Sequence, residues 1–91
     1  MTIRVYIPAP LRPYAEGFSV IALDGDTVSE VLVALTKKFP KLHTHLWDER
    51  DELRSFINVY LNTFDIRYLQ QQKTTINSGD EIRIVPSVAG G

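Results

Sequence analysis

The sequence predicts an α+β domain, a mixed sheet with one helix packed across one face, in the order β-β-α-β-β-β. Three observations carry this reading. Apolar and polar residues alternate in IRVYI, FINVYLN and EIRIV, the period of a half-buried strand. One stretch, DTVSEVLVALTKKFP, switches to helical spacing. A single helix can cover only one side of a sheet, so the other side is left to water or to a partner.

In chain order, Ile3, Val5 and Ile7 alternate with Arg4 and Tyr6, and Pro8 ends this first strand. The segment PAPLRPYAEG holds three prolines and then Gly17, which reads as a turn region. FSVIAL follows as a second strand ending at the Asp24-Gly25 turn, so the two strands make a hairpin. In the helix, Val28, Val31, Leu32, Leu35 and Phe39 share one face. Thr27 with Glu30 three residues on forms a capping box, Lys37 and Lys38 suit the last turn, and Pro40 stops it. From Lys41 to Ser55 the pattern reads as a polar loop anchored over the core by Leu42, Leu46, Trp47 and Leu53. FINVYLN resumes the alternation, with Ile57, Val59 and Leu61 on one face and Phe56, Asn58 and Tyr60 on the other. Asn62 to Asp65 reads as a turn into a short strand IRYL. The turn NSGD then leads to a final strand EIRIV with Ile82 and Ile84 inward.

Composition bounds the function. A chain of 91 residues is one domain, and a domain of this size buries roughly 60 to 65 per cent of its unfolded surface, enough for a core without staples. The apolar share of 44% and charged share of 23% are those of an ordinary globular domain. A net charge of −1 with scattered Lys and Arg gives no footprint for nucleic acid or an anionic membrane. The start MTIRVYIPAP lacks a long apolar signal segment and no window is apolar enough to span a bilayer, so the expectation is a cytoplasmic protein with neither nucleic acid nor membrane as partner. The absence of cysteine removes disulfides, thiolate nucleophiles and thiolate metal sites together, and it fits a reducing compartment.

The helix-free face is expected to show Arg4 and Tyr6, Asn58 and Tyr60, and Arg83 and Val85. Tyrosine and arginine around an exposed valine match the composition of protein interfaces, although strand surfaces favour Tyr in any case. Tyr6, Asn58, Tyr60, Arg83 and Val85 are the candidate partner-binding residues. His43 and His45 stand two apart, but no Cys or third ligand accompanies them, so no metal site is expected. Asp48, Glu49, Asp51 and Glu52 lack the Gly and ligand spacing of a calcium loop and read as a solvated cluster. Asp24 and Asp26 flank a Gly as a turn into the helix cap. No nucleophile triad, phosphate loop or dinucleotide fingerprint is present, so the chain alone should have no turnover.

The sequence ends PSVAGG. Gly loses the most backbone freedom on ordering and contributes nothing to a core, so the pair is either frayed chain or the working part of the protein. The division expected is a domain over residues 1–86 and a C-terminal tail over 87–91.

The strand order together with INSGDEIRIVPSVAGG resembles the β-grasp, ubiquitin-like sulfur carriers: the molybdopterin synthase small subunit, the thiazole-biosynthesis carrier and the cysteine-pathway carrier. Layout covers the whole chain. The specific part is the turn Gly79 to Glu81, the apolar strand after it and Val88-Ala89-Gly90-Gly91. RSFINVYLNTFDIRYL and the longer loop before it look more like the cysteine-pathway carriers than the thiazole carriers, with the pathway left open.

A C-terminal carboxylate with a pKa of about 3.3 to 3.7 is ionised at neutral pH and is a poor acyl electrophile. The resemblance implies that a ubiquitin-activating-type adenylyltransferase spends ATP with magnesium to join Gly91 to AMP. A sulfur donor then displaces AMP to leave a thiocarboxylate, which a sulfur-accepting synthase consumes. The carrier itself binds no cofactor and is a co-substrate, at most the non-catalytic small subunit of a synthase. Without Cβ atoms, Gly90 and Gly91 thread a narrow channel, Val88 and Ala89 offer a modest apolar grip, and Pro86 limits flexibility where the strand lets go. Two other classes stay open: a ubiquitin-like modifier that passes Gly91 to lysine amines, and an inert β-grasp interaction module.

Overall fold

The computed structural model describes residues 2–69 and 73–86. These residues form strands β1 (Thr2–Tyr6), β2 (Val20–Asp24), β3 (Ile57–Leu61), β4 (Phe64–Asp65) and β5 (Glu81–Pro86), with helices α1 (Val28–Lys38) and α2 (His43–Leu46). One mixed sheet runs β2-β1-β5-β3-β4. β1 pairs antiparallel with β2 and parallel with β5, while β3 pairs antiparallel with β5 and with β4. The last strand therefore lies at the centre of the sheet.

Every strand buries alternate residues toward α1, as the alternation predicts: Ile3 and Val5 from β1, Ile21 from β2, Ile57, Val59 and Leu61 from β3, Ile82 and Ile84 from β5. α1 answers with Val28, Val31, Leu32 and Leu35. Its capping box is formed, with the Glu30 amide donating to Thr27 Oγ1 at 3.2 Å. The chain enters α1 through Gly25, where a Cβ would stand 2.7 Å from Val31 Cγ2 and 3.0 Å from the Val31 nitrogen. Only the smallest residue lets the turn lie this close to the helix.

Three connections differ from the sequence reading. The proline-rich turn is a seven-residue 3₁₀ helix, Ala9–Ala15, which buries Leu11 and Ala15; proline fixes φ near the helical value, so Pro10 and Pro13 favour a tight helix as much as a turn. The Lys41 to Ser55 loop contains a 3₁₀ turn, Pro40–Leu42, and the single turn of α2, which buries Leu42 and Leu46. Trp47 and Leu53 bridge to each other and cover the core. The expected strand IRYL is instead a 3₁₀ turn, Ile66–Tyr68, because the Asp65 carboxylate accepts the Arg67 amide at 2.9 Å and curls the chain; the strand here is Phe64–Asp65.

Candidate functional site

The place where the chain leaves the sheet is built by residues far apart in sequence. Gly79 sits at φ 88°, a left-handed conformation that favours Gly, and turns the chain into β5. The Asp80 carboxylate closes that turn by accepting the Asn77 amide at 2.8 Å. It also accepts from Asn62 Nδ2 at 3.1 Å, while Asn62 Oδ1 accepts the Glu81 amide at 3.0 Å. The β3–β4 turn is thereby pinned to the start of β5.

β5 then runs between two partners: Glu81–Arg83 against Arg4–Tyr6 of β1, and Ile82–Pro86 against Leu61–Ile57 of β3. Pro86 is the last paired residue, opposite Ile57. The tail residues Val88, Ala89, Gly90 and Gly91 lie outside the described residues. Their point of departure is fixed at the end of a central strand.

The structure places Tyr6, Asn58, Tyr60, Arg83 and Val85 together on the helix-free face. Arg83 stands between Tyr6 and Tyr60 in the register, and Val85 opposite Asn58. The Arg83 guanidinium lies over the Tyr6 ring, 4.0 Å from its centroid, a cation–π contact. Tyr6 Oη donates to Glu81 Oε1 at 3.3 Å, and an Arg83 terminal nitrogen lies 3.4 Å from Glu81 Oε2. The three side chains form a preorganised triad beside the exposed Val85.

A groove of about 280 Å³ opens next to them, lined in part by Tyr6, Pro8, Arg12, Ser19, Val20 and Val85. Its origin is local. The β1–β5 ladder stops at Tyr6↔Arg83, and Pro8 has no amide to extend it. The chain curls away into the Ala9–Ala15 helix, leaving the end of β5 uncovered on that side. Sequence reasoning missed Arg12, Ser19 and Val20. The outward positions of FSVIAL could have found Val20, which is 37% exposed, whereas Ser19 reaches the site by its carbonyl accepting the Ile7 amide at 2.8 Å and Arg12 through the 3₁₀ helix. Phe56, just before β3, is a further exposed aromatic close to the exit.

The weaker candidates separate. His43 Nε2 lies 3.7 Å from Asp51 Oδ1, while His45 stacks on Tyr14 with ring centroids 3.9 Å apart, so the two imidazoles have different partners. Among the described residues no group of three or more His, Asp or Glu side chains is placed to hold a metal. Asp48 accepts the amides of Glu52 and Arg50 at 3.1 and 2.8 Å, and these bonds, that from Glu52 first, hold its carboxyl below its usual pKa. Among the described residues no helix is long and apolar enough to cross a membrane.

A five-stranded mixed sheet gripping one main helix, with β5 at its centre between β1 and β3, defines a ubiquitin-like β-grasp protein. The ThiS family matches residues 5–91, and the chain belongs to that family of β-grasp sulfur carriers. It is 34% identical over 93 residues to the sulfur carrier protein CysO of Mycobacterium tuberculosis, with 100% of both chains covered. The crystal structure of the Amycolatopsis orientalis BexX/CysO complex aligns with TM-score 0.88 at 32% identity, covering 98% of this chain and 99% of that one. The solution structure of small archaeal modifier protein 1 from Methanosarcina acetivorans aligns with TM-score 0.88 at 35% identity, covering 99% and 96%.

Proposed function

We propose that this protein carries sulfur on the carboxyl of Gly91. A carboxylate oxygen of Gly91 attacks the α-phosphorus of ATP on a ubiquitin-activating-type enzyme, with magnesium bound to the nucleotide, and pyrophosphate leaves. A sulfur donor then attacks the acyl carbon, AMP leaves, and the thiocarboxylate goes to a sulfur-accepting enzyme. The chain is a co-substrate in this scheme. The partners dock on the helix-free face while the tail reaches into their active sites. Support comes from one observation above all: the family match runs to residue 91, and the strand before the tail is the central one, held on both sides. That the related CysO was crystallised in a complex supports a docking body. The RSFINVYLNTFDIRYL stretch and the long loop before it look more like the cysteine-pathway carriers than the thiazole carriers.

The test is pyrophosphate exchange with the activating enzyme. Deleting Gly91, or adding one residue after it, abolishes exchange and leaves the fold intact, because no packed element is touched. A deletion variant that still exchanges would refute the carrier role. The 35% identity to a small archaeal modifier protein favours a second reading, conjugation of Gly91 to lysine amines. Mass spectrometry of protein from its native cell separates the two. A sulfur in place of one terminal oxygen marks the carrier, and Gly-Gly remnants on lysines of other proteins mark the modifier.

A further inference from the structure

The groove beside Val85 has a cation at its edge whose charge is not answered by a carboxylate among the described residues. Arg12 Nε donates to the Ile7 carbonyl at 3.0 Å, which holds the side chain at the site. No carboxylate pairs with its guanidinium among the described residues. Arg83, the other arginine lining the groove, is already engaged by Glu81 and Tyr6. The groove carries no acidic side chain of its own, and Pro8, Val20 and Val85 give it apolar walls. Its chemical complement is a carboxylate next to an apolar side chain. Arginine binds a carboxylate in a two-pronged, charge-assisted manner that lysine cannot copy.

We propose that Arg12 is a specificity-determining anchor for the activating enzyme, receiving an aspartate or glutamate whose apolar neighbour fills the groove between Val20 and Val85. This rests on the carrier reading above. An activating enzyme meets a terminus with the same charge as any other C-terminus, so it must recognise the body of the carrier. An enzyme that takes sulfur can recognise the thiocarboxylate itself. Val85 is one residue from Pro86, and the five residues 87–91 span at most about 18 Å when extended. The partner's acidic residue therefore lies about one tail length from the adenylation site.

The experiment measures pyrophosphate exchange by the adenylyltransferase of the same cell, with the carrier varied. Arg12→Glu raises KM by about 30-fold or more, as expected when one partner of a desolvated charge pair is reversed, and leaves kcat at saturating carrier unchanged. Ser19→Glu, which sets a carboxylate in the groove lining while keeping the Arg12 bond to Ile7, raises KM as well. Reversing the enzyme's acidic residue to arginine restores exchange with Arg12→Glu. Folded Arg12→Glu and Ser19→Glu variants with wild-type KM would overturn the assignment, and so would an equal affinity loss toward the sulfur-accepting enzyme. Wild-type protein that supports no exchange at all would overturn the carrier reading itself, and the anchor with it.

Discussion

The two faces of one sheet are made by the same residues in alternation and do opposite things. In β5, Ile82 and Ile84 are buried against the helix side while Arg83 and Val85 point the other way, Val85 being 42% exposed. The neighbours repeat the division: Val5 against Tyr6 in β1, Val59 against Tyr60 in β3. The closed face is aliphatic and packed on α1. The open face is built from tyrosine, arginine, asparagine and valine, several of them held by one another. In the proposed function the pleat alone separates stability from recognition, and a substitution should act on one or the other according to which of its strand's two alternating sets it belongs to.

The largest effect tests the closed face. Ile82 is fully buried, so Ile82→Ala should destabilise by about 2–5 kcal/mol through lost burial and the cavity left behind. Arg83→Ala next to it should cost under about 1 kcal/mol, the size of an exposed cation–π contact. Equal shifts in thermal melting for the two would erase the distinction between the faces. The open face is tested by Tyr60→Ala combined with Val85→Asp. This pair should leave circular dichroism unchanged and weaken binding to the activating enzyme by about 2–4 kcal/mol, as loss of central anchors does. A tail of a few residues cannot supply the roughly 800 Å² per partner of a stable interface. Unchanged affinity in a titration with the folded double variant would move the docking site to another surface, such as the one around Leu46 and Trp47.

A smaller effect sharpens how closely the closed face is packed. Gly25→Ala puts a methyl 2.7 Å from Val31 Cγ2 and 3.0 Å from the Val31 nitrogen. The entry to α1 must shift, and stability should fall by about 1–3 kcal/mol in a denaturant titration. The smallest effect lies at the sheet edge. Asp65 is buried and accepts from the Arg67 guanidinium at 2.7 Å, and these hydrogen bonds, first from the side chain and then from the backbone of Arg67, hold its carboxyl below the ordinary 3.8. A carboxyl with a depressed pKa in the folded protein contributes stability above its unfolded value, and that contribution is lost as pH falls through the folded one. Asp65→Asn should therefore lower the melting temperature at neutral pH, and the gap to wild type should close on acidification below 3.8. A constant gap would remove the ion pair from the balance.

Much of this molecule is local information. Alternation in IRVYI, FINVYLN and EIRIV determined which residues turn inward, because a strand's side-chain period is two whatever its neighbour. Thr27, Glu30 and Pro40 bounded α1 because capping and proline act within a turn or two. The open-face residues Tyr6, Asn58, Tyr60, Arg83 and Val85 were legible for the same reason. Neighbours were not, since alternation says which face a residue joins and nothing of what lies beside it. Only the parallel pairing of β1 with β5 brings Tyr6 within a hydrogen bond of Glu81, 75 residues away. The strand expected at IRYL gave way to a turn because Asp65 captures Arg67, a competition between side chain and ladder that periodicity does not weigh. The groove and its Arg12 exist because Pro8 ends one ladder while β5 continues in another. A site made from the mismatch of two strand ends belongs to the tertiary structure, because neither end carries a mark of the other.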